Sequence, residues 1–195
     1  MDDYQVDDLF EKHKAKKKKI DSGKKGDRGE LEIVHLLNKR FAKILSENSW
    51  GEFSKSSGSG NRWAQVKNLP QHAKATYSGD ITIPTNCLWV FESKNGYDDV
   101  DIFRCFKGKC TELDEFLQQV QDDADRSGRK PMLIWKKTRQ ERVAFIHNED
   151  MPPVESAYRL HYKGWIAVPL SVLLNYKDSY FFTPPTLTPP ASSGG

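Results

Sequence analysis

Two stretches of the chain repeat apolar residues every three or four positions, which is the spacing of an amphipathic helix. The first covers residues 24–45, and the second covers residues 111–127, where Gly128 follows as a stop signal. We expect both helices to pack against a core through these faces. The predicted core positions are Leu31, Val34, Leu37, Phe41, Ile44 and Leu45 in the first helix, and Leu113, Phe116, Leu117, Val120 and Ala124 in the second.

Shorter runs rich in β-branched and aromatic residues predict strands between and after these helices. Residues 80–84 and 87–94 are two such runs, and the turn-like pair Thr85 and Asn86 between them predicts a β-hairpin. The order of helix, strands, helix and strands indicates an α/β fold with a mixed central β-sheet flanked by helices. The other predicted strands lie near Phe53 and at 131–137, 142–147 and 165–168.

The composition divides the chain into a central domain and two polar ends. Its 195 residues suit one domain, and 37% of them are hydrophobic. Residues 1–22 form a charged, Lys-rich extension, whereas residues 183–195 consist mainly of Thr, Pro, Ser and Gly and predict an extended tail. Within the domain 23–182, the polar stretch 64–78 predicts a long basic loop. The 11% aromatic content and the lack of repeats exclude collagen, a coiled coil and wholesale disorder.

The apolar runs and the cysteines suggest where the protein works. No apolar run approaches the roughly 18 residues of a membrane span, and the N-terminus lacks a basic-then-apolar signal pattern. We therefore expect a cytoplasmic protein with no membrane partner. Three cysteines cannot all pair, which favours a reducing compartment. Because no obvious nearby ligands complete a zinc site with Cys105 and Cys110, ordinary thiols are the favoured interpretation.

The net charge of +3 conceals a pattern of opposite charges. A block of lysines within residues 12–25 follows directly after an acidic stretch at 2–11. Such a block is usually a solvated tail, but it would also bind a phosphate backbone through counterion release. The block alone does not choose between DNA, RNA, an anionic membrane and no partner.

The segment GDITIPTNCLWVFESK contains the candidate chemistry. Glu92 and Lys94 lie two residues apart on one predicted strand, so their side chains share a face of the sheet. A hairpin would place Asp80 beside them. Two carboxylates suit Mg²⁺, and the ammonium of Lys94 could hold an attacking water and stabilise charge on phosphorus. The alternative interpretation of Glu92 and Lys94 is a simple surface ion pair.

This arrangement resembles the PD-(D/E)xK nuclease superfamily, although Gly79 stands where that signature has proline. The finer likeness is to the archaeal-type Holliday junction resolvases, including their phage relatives. It rests on KGDRGELEIVHLL, SKSSGSGNR, WVFESK, LDEFLQQVQDDADRSGRKPMLIWK and the closing GWIAV and YFFTP. The resemblance spans roughly residues 24–185, with an extra loop at 64–78 and a longer connection at 95–111. It implies a restriction-endonuclease-like core, with 23–182 as the nuclease domain.

The resemblance also implies roles for individual residues. Glu30, Asp80 and Glu92 would be metal ligands together with the backbone carbonyl of Ser93, and Lys94 would be the catalytic lysine alongside Asp80 and Glu92. Ser57 matches the position at which the family's Ser/Gly loop supplies a catalytic hydroxyl. Ser56 and Ser59 are close enough in sequence that either could match it instead. A glutamine that orients the lysine falls within 118–121, with Gln119 and Gln121 as the two candidates.

The function implied by the resemblance is Mg²⁺-dependent resolution of four-way DNA junctions, with Mn²⁺ expected to substitute. The enzyme would be a homodimer that cuts two opposed strands symmetrically in recombination or repair, in the host cytoplasm if the protein is viral. Two alternatives stay open: another endonuclease of the superfamily, or a non-catalytic DNA-binding accessory protein. Predicted contacts to the DNA backbone are Lys24, Lys25, Arg28, Lys55, Arg62, Lys136, Lys137 and Arg139.

Overall fold

A computed structural model describes residues 22–56, 78–100, 104, 107–155 and 158–184. Within these residues the chain forms three α-helices and seven strands, with two short 3-10 helices at Asn148–Asp150 and Asp178–Tyr180. The helices are α1 (Ser22–Asn48), α2 (Thr111–Ser127) and α3 (Leu170–Leu174). The strands are β1 (Ser54–Lys55), β2 (Ile81–Thr82), β3 (Trp89–Asn95), β4 (Lys130–Lys136), β5 (Val143–His147), β6 (Leu160–Tyr162) and β7 (Trp165–Pro169).

The central element is a five-stranded sheet in the order β3-β4-β5-β7-β6. β3 and β4 are parallel, because α2 connects them as a crossover, while the other neighbours are antiparallel. The sheet is therefore mixed and has helices on both faces, which confirms the predicted α/β class. β3 lies at one edge of the sheet, and this edge position becomes important for the site.

Two hydrophobic clusters cover the two faces of the sheet. Trp89 and Phe91 of β3 pack in the cluster that contains α1 and α3, whereas Val90 packs in the cluster that contains α2. This alternation is the normal consequence of a strand covered on both sides. All five predicted apolar residues of α2 are buried, and Gly128 ends the helix in a left-handed conformation with φ 67°. The predicted boundaries and buried face of α2 are thus confirmed.

The predicted hairpin between residues 80–84 and 87–94 is wrong. β2 pairs with β1 in a separate two-stranded antiparallel sheet, with Ser54 opposite Thr82. The start of the second run instead pairs with the end of the domain, since the Leu88 amide donates to the Phe181 carbonyl at 2.8 Å. Partners so distant in sequence leave no trace in a local hydrophobic pattern.

Other differences concern the ends of elements, one missed strand and Leu31, which was predicted to face the core but is 45% exposed. α1 begins at Ser22, two residues before the predicted start, so Glu30 lies about two turns into the helix. β6 was not predicted. Cys87 and Cys110 are free and buried, and Cys105 lies outside the described residues. None of the helices in the described part of the chain has the length and hydrophobicity needed to span a membrane.

Candidate active site

Asp80 reaches the open edge of β3 through a tight backbone contact. Its amide donates to the Phe91 carbonyl at 3.1 Å, and its Oδ2 accepts the Ser93 amide at 3.0 Å. Gly79 makes this approach possible: it has φ +80°, and a Cβ there would lie 2.6 Å from the Phe91 carbonyl oxygen. Glycine in place of the signature proline is therefore required by this geometry, and Asp80 lies beside β3 without a regular hairpin.

Glu92 and Lys94 point from β3 toward α2, on the same face as Val90. The Lys94 Nζ donates to Glu92 Oε1 at 2.6 Å and to Gln119 Oε1 of α2 at 2.9 Å. Glu92 is 1% exposed and the Lys94 side chain 14% exposed. Glu92 is therefore buried and Lys94 partly buried, which does not fit the alternative of a surface ion pair.

Burial and repulsion perturb the two carboxyls that flank the strand edge. Burial raises the pKa of Glu92 to about 8, with a further rise from the charge of Asp80 and an opposing effect of Lys94. Burial also raises the pKa of Asp80, although its hydrogen bond from Ser93 and the charge of Lys94 oppose this. Both carboxyls therefore hold protons more tightly than ordinary carboxyls, as expected where two like charges share a dry pocket.

Lys94 keeps its proton in spite of its burial. Burial alone would lower the pKa of Lys94, but the charges of Glu92 and Asp80 together raise it above its usual value. Its ammonium also lies 5.2 Å from the ring centre of Phe116. In the metal-free site Lys94 is therefore a hydrogen-bond donor to Glu92 and Gln119.

Glu30 approaches the same edge from α1. It is 7% exposed, and its Oε2 lies 3.4 Å from the Nζ of Lys55, which also contacts Asp27. Burial raises the pKa of Glu30, and the charge of Asp80 raises it further, while Lys55 opposes the shift. α1 comes close to β3 through Gly29, where a Cβ would lie 2.6 Å from the Cβ of Asn95.

The carboxyl oxygens of this site suit a hard cation. Glu92 Oε2 is buried and accepts no hydrogen bond from any described residue, whereas buried Glu30 Oε2 has only the 3.4 Å ion pair with Lys55. Buried polar atoms are normally paired, so these two oxygens fit the ligand set of an ion such as Mg²⁺, which takes one or two carboxylates and fills its shell with water and phosphate oxygens. A ready-made group of three or more His, Cys, Asp or Glu ligands is absent from the described part of the chain.

The structure separates the two glutamine candidates for orienting the lysine. Gln119 contacts Lys94 directly, whereas Gln121 is hydrogen-bonded to His147 at 2.7 Å and to Asp125 at 2.7 Å. Ser57 falls outside the described residues, as does Ser59, while Ser56 is buried and lies 3.2 Å from the Thr82 hydroxyl. The position of the predicted catalytic hydroxyl is therefore an open prediction.

The predicted DNA-contacting residues occupy several places around the site. Lys24 and Lys25 lie in the first turn of α1, and Arg62 lies outside the described residues. Lys55 adjoins Glu30. Lys137 donates to the Val100 carbonyl, and Arg139 is exposed with φ 61°. Arg28 and Lys136 both pair with Glu32, at 3.2 and 3.1 Å.

Two residues near this surface, Asp123 and Phe116, were missed by sequence reasoning. Arg142 ends the basic segment WKKTRQER, which was predicted to contact the DNA backbone, and it also pairs with Glu32. Asp123 adds to the raised pKa of both Asp80 and Glu92, and it lies one helical turn after Gln119, a spacing that could have revealed it. Phe116, predicted as core, also contacts Lys94.

The fold and the site together define a restriction-endonuclease-like nuclease. An α/β core has an Asp hydrogen-bonded to its edge strand, a Glu-x-Lys on that strand and a helix glutamine on the lysine. The comparison with known families agrees: the model of the family described as "Phage putative PDDEXK endonuclease" matches residues 21–167. This match covers most of the chain, and the protein belongs to that family. No curated protein and no solved structure matches the chain.

Proposed function

We propose that this protein is a divalent-metal-dependent, structure-selective endonuclease that resolves four-way DNA junctions as a homodimer. The observation that carries the nuclease chemistry is the convergence of Asp80, Glu92 and Lys94 at the edge of β3. The preference for junctions is supported by the resemblance of the opening helix, the Ser/Gly loop and the Glu-x-Lys strand to junction-resolving enzymes. Two equivalent cuts would follow from a two-fold axis that relates two such sites.

Lys94 would act on the scissile phosphate as a fixed cation. An ammonium has three N–H donors, and contacts to Glu92 and Gln119 use two of them. The third is available for a water molecule or a phosphate oxygen. A donor held in place by Gln119 would stabilise the negative charge that builds up on the phosphate oxygens as water adds to phosphorus. The P–O3′ bond breaks, and the leaving O3′ takes up a proton released by the water. The products would carry a 5′-phosphate and a 3′-hydroxyl.

Asp80 and Glu92 would hold a divalent metal, with Glu30 and the Ser93 carbonyl as further ligands. Their low exposure and the unpaired Oε2 of Glu92 fit this role. When bound, Mg²⁺ or Mn²⁺ would act as a Lewis acid on a phosphate oxygen and make water a better nucleophile. The protein contributes the rest of the site: a hydrogen bond from Ser93 fixes Asp80, and Lys94 fixes Glu92.

The direct test compares cleavage of a four-way junction with cleavage of a linear duplex of the same sequence in Mg²⁺. We expect paired, symmetric cuts in the junction and little cutting of the duplex. Asp80→Asn and Lys94→Ala should abolish cutting and retain binding. Asp122→Asn is the matched control, because Asp122 is an exposed carboxylate of α2 that bonds Gln118 and lies outside the site.

The same assay distinguishes the two alternatives. Equal cutting of junction and duplex would favour another endonuclease of the superfamily and reject junction resolution. Binding without cutting by any preparation would favour a non-catalytic DNA-binding protein. Sedimentation of the protein as a monomer at all concentrations would reject the homodimer.

A further inference from the structure

Tyr97 is exposed close to Lys94 and has no role in the chemistry described above. Three large hydrophobic side chains are exposed among the residues that the structure describes: Leu31, Tyr97 and Tyr158. Tyr97 follows the end of β3 directly and is 46% exposed. Its ring lies edge-on to Phe116, with ring centres 4.8 Å apart, and Phe116 in turn contacts the ammonium of Lys94. Tyr97 is thus one aromatic ring away from Lys94.

The backbone of Tyr97 is held in a conformation that tyrosine rarely adopts. Its φ is 54°, and Gly96 before it has φ 98°. Hydrogen bonds fix both sides of this turn: the Gly96 amide donates to the Lys136 carbonyl at 2.7 Å, and the Val100 amide donates to the Tyr97 carbonyl at 3.1 Å. A strained residue that the surroundings hold in place is a common feature of functional sites.

The same turn is tied to the rest of the sheet by side chains. Asp98 accepts hydrogen bonds from both the amide and the hydroxyl of Thr138, and the indole of Trp135 donates to the Gly96 carbonyl at 3.1 Å. These contacts would hold the turn equally well with a smaller residue at position 97. The fold therefore holds an aromatic ring at a fixed place, where it packs against Phe116 and is still 46% exposed.

Nucleic acid is the ligand that this ring suits, since the ring borders a nuclease site. In a duplex, bases stack on one another and present only their edges in the grooves. An aromatic side chain can stack on a base only where that base has left the helix, and this stacking depends little on sequence. Branch points are where a base can leave its neighbours at the smallest cost.

We infer that Tyr97, supported by Phe116, forms a nucleobase-stacking subsite that takes one unstacked base next to the scissile phosphate and thereby favours branched over linear DNA. This inference rests on the proposed junction-resolving function and names the contact that gives it selectivity. Lys94 would act on the phosphate, and Tyr97 would hold a base adjoining it.

The test uses a four-way junction and a linear duplex, each with 2-aminopurine at the same sequence position, which is the branch point in the junction. All proteins carry Asp80→Asn so that the strands stay intact. Tyr97→Asn removes the ring, and asparagine tolerates a positive φ, so the turn is preserved. Tyr97→Phe keeps the ring. Tyr158→Leu is the matched control, because Tyr158 is an exposed tyrosine just before β6, at the opposite edge of the sheet.

We expect Tyr97→Asn to weaken junction binding by about 5- to 150-fold and to remove the fluorescence change of the branch-point 2-aminopurine. Tyr97→Phe and Tyr158→Leu should keep both. Binding of the linear duplex should be the same in every variant. The proposed subsite would be overturned if Tyr97→Asn left the junction affinity unchanged, or if it weakened binding of the junction and of the duplex equally.

Failure of the proposed function would look different from failure of the subsite. Absence of cleavage by the unmutated protein would reject the nuclease while the binding measurements still report on Tyr97. Normal junction cleavage by the unmutated protein, together with a junction affinity that Tyr97→Asn does not change, would reject the subsite alone. The thermal unfolding midpoint of Tyr97→Asn, compared with that of the parent, separates a lost contact from a lost fold.

Discussion

The ammonium of Lys94 lies 2.9 Å from the side-chain oxygen of Gln119, although the two residues belong to different elements. β3 supplies the lysine, and α2 crosses over its face before the chain returns in β4. Gln119 therefore restricts the position of Lys94 from the α2 side. This contact predicts a positioning role for Gln119 in catalysis.

Removal of Gln119 should slow the reaction without weakening DNA binding. We expect Gln119→Ala to lower kcat by about 10- to 100-fold, since small misplacements of a catalytic group cost this much. Gln119→Glu keeps an acceptor for Lys94 and should recover part of the rate. Gln118→Ala is the control, because Gln118 bonds Asp122 on the exposed side of α2. Steady-state kinetics with a junction substrate checks this, and full activity of Gln119→Ala would reject it.

Gly79 should be intolerant of any side chain. Gly79→Ala would place a methyl group against the Phe91 carbonyl and push Asp80 away from Ser93. Gly51→Ala is a close control, because Gly51 has φ +79° but open space around it. Alanine there would meet no clash and would lower the free energy of unfolding only by the cost of a left-handed backbone, about 1 kcal/mol. We expect Gly79→Ala to lower the free energy of unfolding by about 1–3 kcal/mol more than Gly51→Ala. Chemical denaturation measures the difference, and equal losses would contradict the clash.

The metal-free protein should lose stability as pH rises. The pKa values of Glu92, Asp80 and Glu30 are all raised in the folded state, that of Glu92 to about 8. Between about pH 4.5 and pH 8 the folded state therefore binds more protons than the unfolded state, and the free energy of unfolding falls through this range. Glu92→Gln should flatten the slope.

Thermal unfolding in EDTA from pH 5 to pH 8 measures this slope. We expect the midpoint to fall by at least about 2–4 °C, the change that 1 kcal/mol causes in a domain of this size. Lys94 does not contribute to the slope, because its raised pKa places its titration above this range. A midpoint that rises with pH would show that these carboxyls are not destabilised by burial.

Divalent cations should reverse this destabilisation. Mg²⁺ or Mn²⁺ would compensate the charges of Asp80 and Glu92, so either ion should raise the unfolding midpoint at pH 8 more than at pH 5. Asp80→Asn and Glu92→Gln should each remove most of the effect, whereas Asp122→Asn should keep it. Calorimetric titration of the DNA-free protein gives a second measurement. An equal response in all variants would place the metal elsewhere.

Several parts of the fold could be predicted from sequence because they depend on local spacing. The boundaries and buried face of α2, its glycine stop and the apolar strands β4 and β5 follow from periodicity within one element. The shared face of Glu92 and Lys94 follows from the two-residue repeat of a strand. These features need no knowledge of what the element packs against.

The remaining features depend on partners far away in sequence. β2 pairs with β1, and the start of the 87–94 run pairs with the end of the domain, where a hairpin was predicted. The choice of Gln119 over Gln121 depends on how α2 is rotated over β3. Nothing in the local pattern indicates the Glu32 cluster, in which side chains of α1, β4 and the β4–β5 connection meet.

The sequence by itself determined the residue types and their spacing: an aspartate after a glycine, a Glu-x-Lys on an apolar strand and a helix with glutamines. The tertiary structure alone decided their burial and mutual distances. The edge position of β3 leaves the Ser93 amide open to Asp80, and two packed faces remove Glu92 from water. Because pKa values depend on burial and nearby charge, the chemistry of these carboxyls is a property of the assembled sheet.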